Sequence, residues 1–484
     1  MEISFKKIIF VQDILKARYM EFKKLIDRGA ELERINAALK REDTQFIVIY
    51  GRRRIGKSTL IKHIVNERQK AIFFLSDTSA ESVQRAAFSK VVASVIDGFD
   101  EVIYPDWESL FRSLNNQLPE RVLVCLDEFP YLTKSCDALP SIVQKLLNEK
   151  VLKFDLILCG SSQQLMHGYM LNRQSPLYGL ANEIIRMQPI PARYTGAAME
   201  SDAVQAVEEY AVWGGVPRYW ELRRDYPDME SAIRKVLLDP QGPLIEEPQR
   251  LLRDDMRDTV QASTLLTIIG NGANKLSEIA ARAGKDSSTI SEPLIKLRDL
   301  GYIRREIPFG ESPKKSKKGI YHINDSLLRF HYQFVVPYRS ILELGKTDTV
   351  MQVVHAQLPQ FIGQCWELLC REYVSGNVID GIAYNMASRW WGKIFPPEDK
   401  NGEMIELDVV AESIDKKHIL IGECKWTHDE DADRLIDVLE QKVKYLPFIK
   451  KGQEVHLVLF LKEPPAHKSE EVRILLPSDV MKIS

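Results

Sequence analysis

Cysteine is scarce in this chain. The six thiols in 484 residues (Cys125, Cys136, Cys159, Cys365, Cys370 and Cys424) form no C-x-x-C pair, which excludes a disulfide framework. Cys125, Cys159 and Cys424 lie inside apolar runs that read as strands, so buried, inert thiols in a reducing cytoplasm are expected. No run of 18 apolar residues occurs, and no membrane span is expected. Near the N-terminus the apolar stretch is only Ile8-Ile9-Phe10-Val11, too short for the core of a signal peptide. An excess of one charge is also lacking. Lys+Arg is 66 and Asp+Glu is 68, a net charge of -2, which argues against a general nucleic-acid coat but not against a local basic patch. What is present is ordinary globular composition, 45% hydrophobic and 28% charged, long enough for roughly three domains. The first is expected to begin near Met20, after an N-terminal extension over 1–19.

The strongest local pattern is Gly51-Arg52-Arg53-Arg54-Ile55-Gly56-Lys57-Ser58-Thr59, which fits G-x-x-x-x-G-K-[ST]. Phe46 to Tyr50 before it reads as a buried strand, and Thr59 to Arg68 after it carries apolar residues at helical spacing. Gly51 and Gly56 let backbone N–H groups wrap a phosphate. The following helix adds its positive N-terminal end. Lys57 can reach the outer phosphates and the Ser58 hydroxyl can ligate Mg²⁺.

A second strand, Arg121 to Leu126, ends in Asp127 and Glu128. Asp127 is expected to hold Mg²⁺ and Glu128 to polarise an attacking water; an ordinary helix cap is the plainer alternative. A third strand, Phe154 to Gly160, ends in Ser161 and Ser162. Ala71 to Leu75 and Glu183 to Met187 supply two more. Five such strands with intervening helices predict a parallel sheet covered on both faces.

Residues 20–240 resemble the AAA-type P-loop ATPases of archaea and bacteria, near the STAND branch. Asp27-Arg28, the 51–58 loop, LDEFPYL at 126–132, GSS at 160–162, SPLYG at 175–179 and GGVPRYW at 214–220 carry the resemblance. It implies ATP binding and hydrolysis with Mg²⁺ on a sheet of order 5-1-4-3-2, with the core over 20–195 and a helical lid over 196–254. It places Asp27 and Arg28 by the adenine, makes Ser162 or Ser161 a polar sensor of the γ-phosphate (a plain turn at Gly160-Ser161-Ser162 being the alternative), and starts the lid at Pro217. One position departs. Relatives commonly carry Arg after SPLYG, whereas this chain has Leu180, with Arg173, Arg186 and Arg218 nearby. The arginine that would neutralise the transition state is therefore unassigned.

Residues 255–340 show helical spacing from Asp255 to Gly270, a short helix over 275–284, a longer one from Ser287 to Leu300, and two strands, Tyr302 to Ile307 and Gly319 to Ile323. The loop between them carries Lys314, Lys315, Lys317 and Lys318. The pattern resembles a winged helix-turn-helix. In DNA-binding members the second helix enters the major groove and the wing meets phosphate. A solvated loop or a contact between domains are the alternatives, because Asp286, Glu292 and Asp299 accompany Lys285, Lys296 and Arg298.

Residues 341–484 place Glu367 on a helix, Asp408 on a strand, and Glu423 with Lys425 on the next strand. Two residues apart on a strand, Glu423 and Lys425 share a face. The set resembles the PD-(D/E)XK restriction-endonuclease-like fold, whose acids bind Mg²⁺ and whose Lys activates water. A degenerate domain that keeps only the fold is the alternative. The combined expectation is an α/β chain: a P-loop NTPase parallel sheet with a helical lid, a winged helix and a C-terminal α/β nuclease-like domain. Its expected partners are ATP, duplex DNA through the winged helix, and a second copy of the chain. The function is then an ATPase coupled to DNA handling, a nucleotide-dependent switch that binds protein, or an ATP-regulated Mg²⁺ nuclease.

Overall fold

The computed structural model describes residues 25–150, 152–256, 258–397, 401–465, 467 and 472–483. The extension expected over 1–19 and the start at Met20 lie outside the described residues. The chain divides into two compact units, one of 1–190 with 216–218 and one of 191–215 with 219–484.

The first unit is built on five short apolar runs: β1 (Phe46–Tyr50), β2 (Ala71–Leu75), β3 (Val122–Asp127), β4 (Phe154–Gly160) and β5 (Glu183–Arg186). All pair in parallel, in the order β2-β3-β4-β1-β5. This is the order that the resemblance implied. The central strands are buried along their whole length, because helices cover both faces. Alternation divides their side chains between two layers. Phe46, Val48, Val124, Leu126 and Leu158 pack with Phe88, Trp107, Phe111, Leu132 and Val143. These come from α3 (Glu81–Val92), α4 (Trp107–Gln117), α5 (Phe129–Ser135) and α6 (Leu139–Asn148). Ile47, Ile49, Cys125, Ile157 and Cys159 pack with Ile35, Leu60, Ile61 and Ile64. These belong to α1 (Gly29–Leu39) and α2 (Lys57–Asn66). Both core thiols are buried, and burial pushes their pKa values upward, so they are inert as expected.

The second unit contains α8 (Ala203–Trp213), then α10 (Glu247–Asp255), α11 (Thr259–Gly270), α12 (Leu276–Ala283) and α13 (Ser287–Asp299). The helix α7 (Gln163–Leu171) precedes these in the first unit, and α9 (Pro217–Arg224) begins among the residues that group with it. The helix expected to run from Asp255 starts instead at Thr259, where Asp258 accepts from Gln261 N at 2.9 Å. That cap satisfies an end-of-helix donor and sets the boundary. Gly284, at φ 62°, terminates α12. The hairpin β6 (Ile303–Glu306) and β7 (Ile320–Ile323) is antiparallel. Ile303 and Ile323 join Leu265, Ile279, Ile290 and Leu294 in one core.

The helix read over 361–373 is longer than the sequence indicated. As α14 (Thr347–Val374) it runs 28 residues and carries Pro359 within it. It covers a mixed sheet of β8 (Ser388–Ile394), β9 (Glu403–Glu412), β10 (His418–Lys425), β11 (Glu454–Leu461) and β12 (Arg473–Leu475), in that order. The first two pairings are antiparallel and the last two parallel. Trp366 is fully buried and donates Nε1–H to Phe460 O at 3.1 Å. No helix among the described residues is long and apolar enough to cross a membrane.

Candidate active site at the carboxyl edge of the parallel sheet

Parallel pairing brings the carboxyl ends of β1, β4 and β3 side by side, with Tyr50 opposite Gly160 and Leu126 opposite Leu158. In open α/β sheets this edge is where ligands bind. The 51–56 loop leaves β1 there and α2 begins at Lys57. Gly51 must be glycine because an added Cβ would lie 2.6 Å from Met187 O. Gly56 sits at φ 99° at the start of α2, a conformation that glycine adopts without strain. Pro217 Cγ lies 4.0 Å from where a Gly56 Cβ would be. Lys57 is buried, and its ammonium donates to Gly51 O at 2.9 Å and Arg52 O at 3.0 Å. Ser58 is half-buried and Thr59 exposed in the first turn of α2, while Ile55 is buried and Arg53 and Arg54 are half-buried.

Arg28 is buried, and its Nη2 donates to Ile55 O at 3.1 Å and to Gln188 O at 2.9 Å. Asp27, at φ 50°, makes the turn before it. The guanidinium thus ties the phosphate loop to the segment after β5. Asp127 is fully buried. Its Oδ1 accepts from Glu128 N at 2.9 Å, and its Oδ2 has no nitrogen or hydroxyl donor among the described residues, the weakly donating Cys159 thiol being beside the carboxylate. Glu128, at φ 54°, precedes α5, and its Oε2 accepts from Ser161 Oγ at 2.8 Å and Ser161 N at 3.2 Å. Ser162 Oγ instead caps α7 at Leu165 N, 3.4 Å away.

The C-terminal constellation lies in the second unit. Asp408 Oδ2 accepts from Cys424 N at 2.9 Å. Lys425 Nζ donates to Glu423 Oε1 at 2.7 Å, and Lys442 Nζ lies 3.7 Å from Glu423 Oε2. Glu367 Oε2 is 3.7 Å from Arg371 Nη1 and 3.8 Å from Arg389 Nη2. Burial and the neighbouring Asp408 carboxylate raise the Glu367 pKa to about 7. Burial and Glu423 likewise raise that of Asp408. Burial acts against the charged Lys425, yet Glu423 beside it keeps that ammonium raised. Burial alone would raise the Glu306 carboxyl, but Arg304, Arg371 and His322 hold it down at about 2. A cleft of about 840 Å³ opens onto Arg304, Tyr321, Glu367, Arg371, Arg389 and Lys425. The four residues read from the sequence therefore share one neighbourhood. Glu367, Asp408 and Glu423 do not, however, bring three ligand atoms within 4.8 Å of one another.

Residues 25–193 match a family described as an ATPase domain predominantly from Archaea. This part of the chain is thus similar to ATPase domains, and its five-stranded parallel sheet with flanking helices agrees with a P-loop fold. Residues 331–436 match a family of archaeal and bacterial proteins of unknown function. The chain is 29% identical over 418 residues to an uncharacterised protein of Methanocaldococcus jannaschii, covering 84% of this chain and 89% of that one. Among solved structures, the Aeropyrum pernix ORC2 protein is 13% identical with TM-score 0.41, over 69% of this chain and 96% of that one. The Aeropyrum pernix ORC1 protein in complex with DNA is 15% identical with TM-score 0.35, over 66% and 95%.

Two groups in the ATPase domain carry no sequence signature. Ser76 Oγ donates to Asp127 O at 2.5 Å and Glu128 O at 2.9 Å, fixing the backbone of both acids. The only cue is a polar residue directly after the apolar run of β2. The tether from Arg28 to Ile55 spans 27 residues and follows from no local pattern. Arg186, one of the three arginines near Leu180, sits opposite Tyr50 and reaches Gln163 Oε1 at 3.5 Å.

Proposed function

We propose that the ATPase domain binds and hydrolyses Mg·ATP, and that its nucleotide state governs a DNA-associated winged helix and a nuclease-like module in the second unit. The observation that carries the first part is the pair of acids at the end of β3. Asp127 holds a buried carboxylate oxygen with no strong hydrogen-bond donor, only the weakly donating Cys159 thiol beside the carboxylate, and Glu128 is positioned by Ser161. A buried carboxylate left unsatisfied costs several kcal/mol unless a cation reaches it, so the residues fit a Mg²⁺ site made by Asp127 and Ser58. An ion there neutralises charge on the β- and γ-phosphates.

The chain's own groups then have distinct tasks. The loop amides and the N-terminal end of α2 cradle the phosphates. Lys57 exchanges its bonds to Gly51 O and Arg52 O for phosphate oxygens. Glu128 orients and deprotonates the attacking water, and Ser161 holds that carboxylate in line. Asp27, Arg28 and Pro217 border the nucleotide. Measuring ATP turnover with and without duplex DNA tests this reading. DNA stimulation supports coupling, whereas steady binding with negligible turnover favours a nucleotide switch.

The acid cluster in the second unit favours a second activity. A Glu367 raised to about 7, next to Asp408 and the Lys425–Glu423 pair, is the kind of carboxylate grouping that gains from a divalent cation. Phosphodiester cleavage with Glu367, Asp408, Glu423 and Lys425 is the matching chemistry. The three helices α11 to α13 with the β6–β7 hairpin correspond to a winged helix. Lys314, Lys315 and Lys317 lie at its loop and would meet the DNA backbone. Metal-dependent cutting that disappears in Asp408→Ala supports the assignment; cutting that persists removes it.

A further inference from the structure

The amino ends of β10 and β11 carry a second cluster of ligating side chains. His418 opens β10, and Glu454 and His456 are the first and third residues of β11. The strands are parallel with His418 opposite Glu454 and Leu420 opposite His456. Register partners and residues two apart share a face, so all three side chains converge. His418 Nδ1 lies 3.0 Å from His456 Nε2 and 3.3 Å from Glu454 Oε2. His456 Nε2 lies 3.8 Å from Glu454 Oε1. Among the described residues this is the one group of three His, Cys, Asp or Glu whose ligand atoms all lie within 4.8 Å.

We propose that His418, His456 and Glu454 form a binding site for a divalent transition-metal ion of the Zn²⁺ class. Bonds of 2.0–2.1 Å in a tetrahedron put donor atoms about 3.3 Å apart, and the three observed separations bracket that value. Hydrogen bonding alone serves the cluster less well. At most one proton can lie between the two ring nitrogens, while a central cation draws on both imidazole lone pairs and the carboxylate together. Two imidazoles with one carboxylate suit Zn²⁺, Ni²⁺ or Cu²⁺, whereas Mg²⁺ and Ca²⁺ favour all-oxygen sets.

The surroundings support a built site. The two histidines are half-buried, with side-chain exposures of 24% and 30%, while Glu454 is exposed. His418 N donates to Ser413 Oγ at 3.0 Å, and Ser413 Oγ donates to Asp415 Oδ1 at 2.5 Å, which fixes the turn before β10. Three protein ligands leave one position for solvent or an exogenous ligand. The site is separate from the acid cluster, because His418 precedes Glu423 by five residues, about 16 Å along the strand. Its direct effect is to clip two parallel strands together at one end, so binding energy adds to the stability of this sheet.

Titration of Zn²⁺ alone into the chelator-treated full-length chain tests the proposal. The wild-type chain is expected to bind one equivalent more than His418→Gln/His456→Gln, in which affinity at this site falls on the order of 100-fold or more, and to show a Zn²⁺-dependent rise in melting temperature that the variant lacks. Absence of Zn²⁺ binding by the wild-type chain, or full retention by the double variant, overturns it. A second readout needs no variant. The visible spectrum of the Co²⁺-loaded wild-type chain is expected to report tetrahedral nitrogen and oxygen ligands. A thiolate charge-transfer band or an octahedral spectrum overturns the assignment.

Discussion

Arg28→Met removes a cation that the structure uses to brace the phosphate loop. Arg28 is 4% exposed and gives Nη2–H bonds to Ile55 O and Gln188 O. Only the first acceptor belongs to the loop, so only that bond bears directly on nucleotide binding. A buried charge-assisted hydrogen bond contributes about 1.5–3 kcal/mol. At 1.4 kcal/mol per tenfold this is about 10- to 150-fold in affinity. Methionine keeps most of the packing volume and relieves the cost of burying a guanidinium, which puts the expected loss near tenfold. The assay is competition of ATP and of GTP against a fluorescent nucleotide, with thermal melting as the control for folding. A loop brace weakens both nucleotides equally. Unchanged affinity, or a loss confined to ATP, refutes the brace; the second result instead returns Arg28 to the adenine contact that the family resemblance implied.

Other consequences follow from the second unit. Arg223 makes a buried bidentate pair with Glu209, with bonds of 2.6–2.9 Å. Arg223→Ala strands that carboxylate and is expected to cost about 3–5 kcal/mol, read as a lower urea midpoint; a shift within experimental error contradicts it. His331 is buried, and burial lowers its pKa to about 4. The unfolded chain takes up that proton near pH 6.5, so the stabilisation is complete above about pH 6.5 and is lost as pH falls toward 4, amounting to about 3 kcal/mol. His331→Leu is expected to flatten the fall of the urea midpoint across this window only in part, because burial also lowers His322 to about 4; an unaltered slope contradicts the account.

Much of the ATPase domain was legible because its signals are local. The strand before Gly51, the helix after Lys57 and the acids after Leu126 each lie within one short window, and the structure gathers them at one sheet edge. Contacts across long separations were not legible. Nothing near Arg28 announces Ile55 or Gln188, and the choice between Ser161 and Ser162 depends on which one starts α7. In the second unit, alternation placed Glu423 and Lys425 on one face. It did not show that Glu306 of the hairpin stands beside Arg371 and Arg389. The His418, Glu454 and His456 cluster depends on the pairing register of two parallel strands separated by a helix. A one-residue slip would disperse it, and no single stretch of sequence encodes that register.

The central claim is that Glu128 drives ATP hydrolysis at the carboxyl edge of the parallel sheet. Steady-state ATP turnover by the full-length chain and by Glu128→Gln, each with and without duplex DNA and with nucleotide binding measured alongside, tests it most directly. The account predicts ATP binding within a few-fold of wild type and turnover reduced on the order of 100-fold or more, with DNA raising the wild-type rate only. Equal turnover by the two proteins would contradict it.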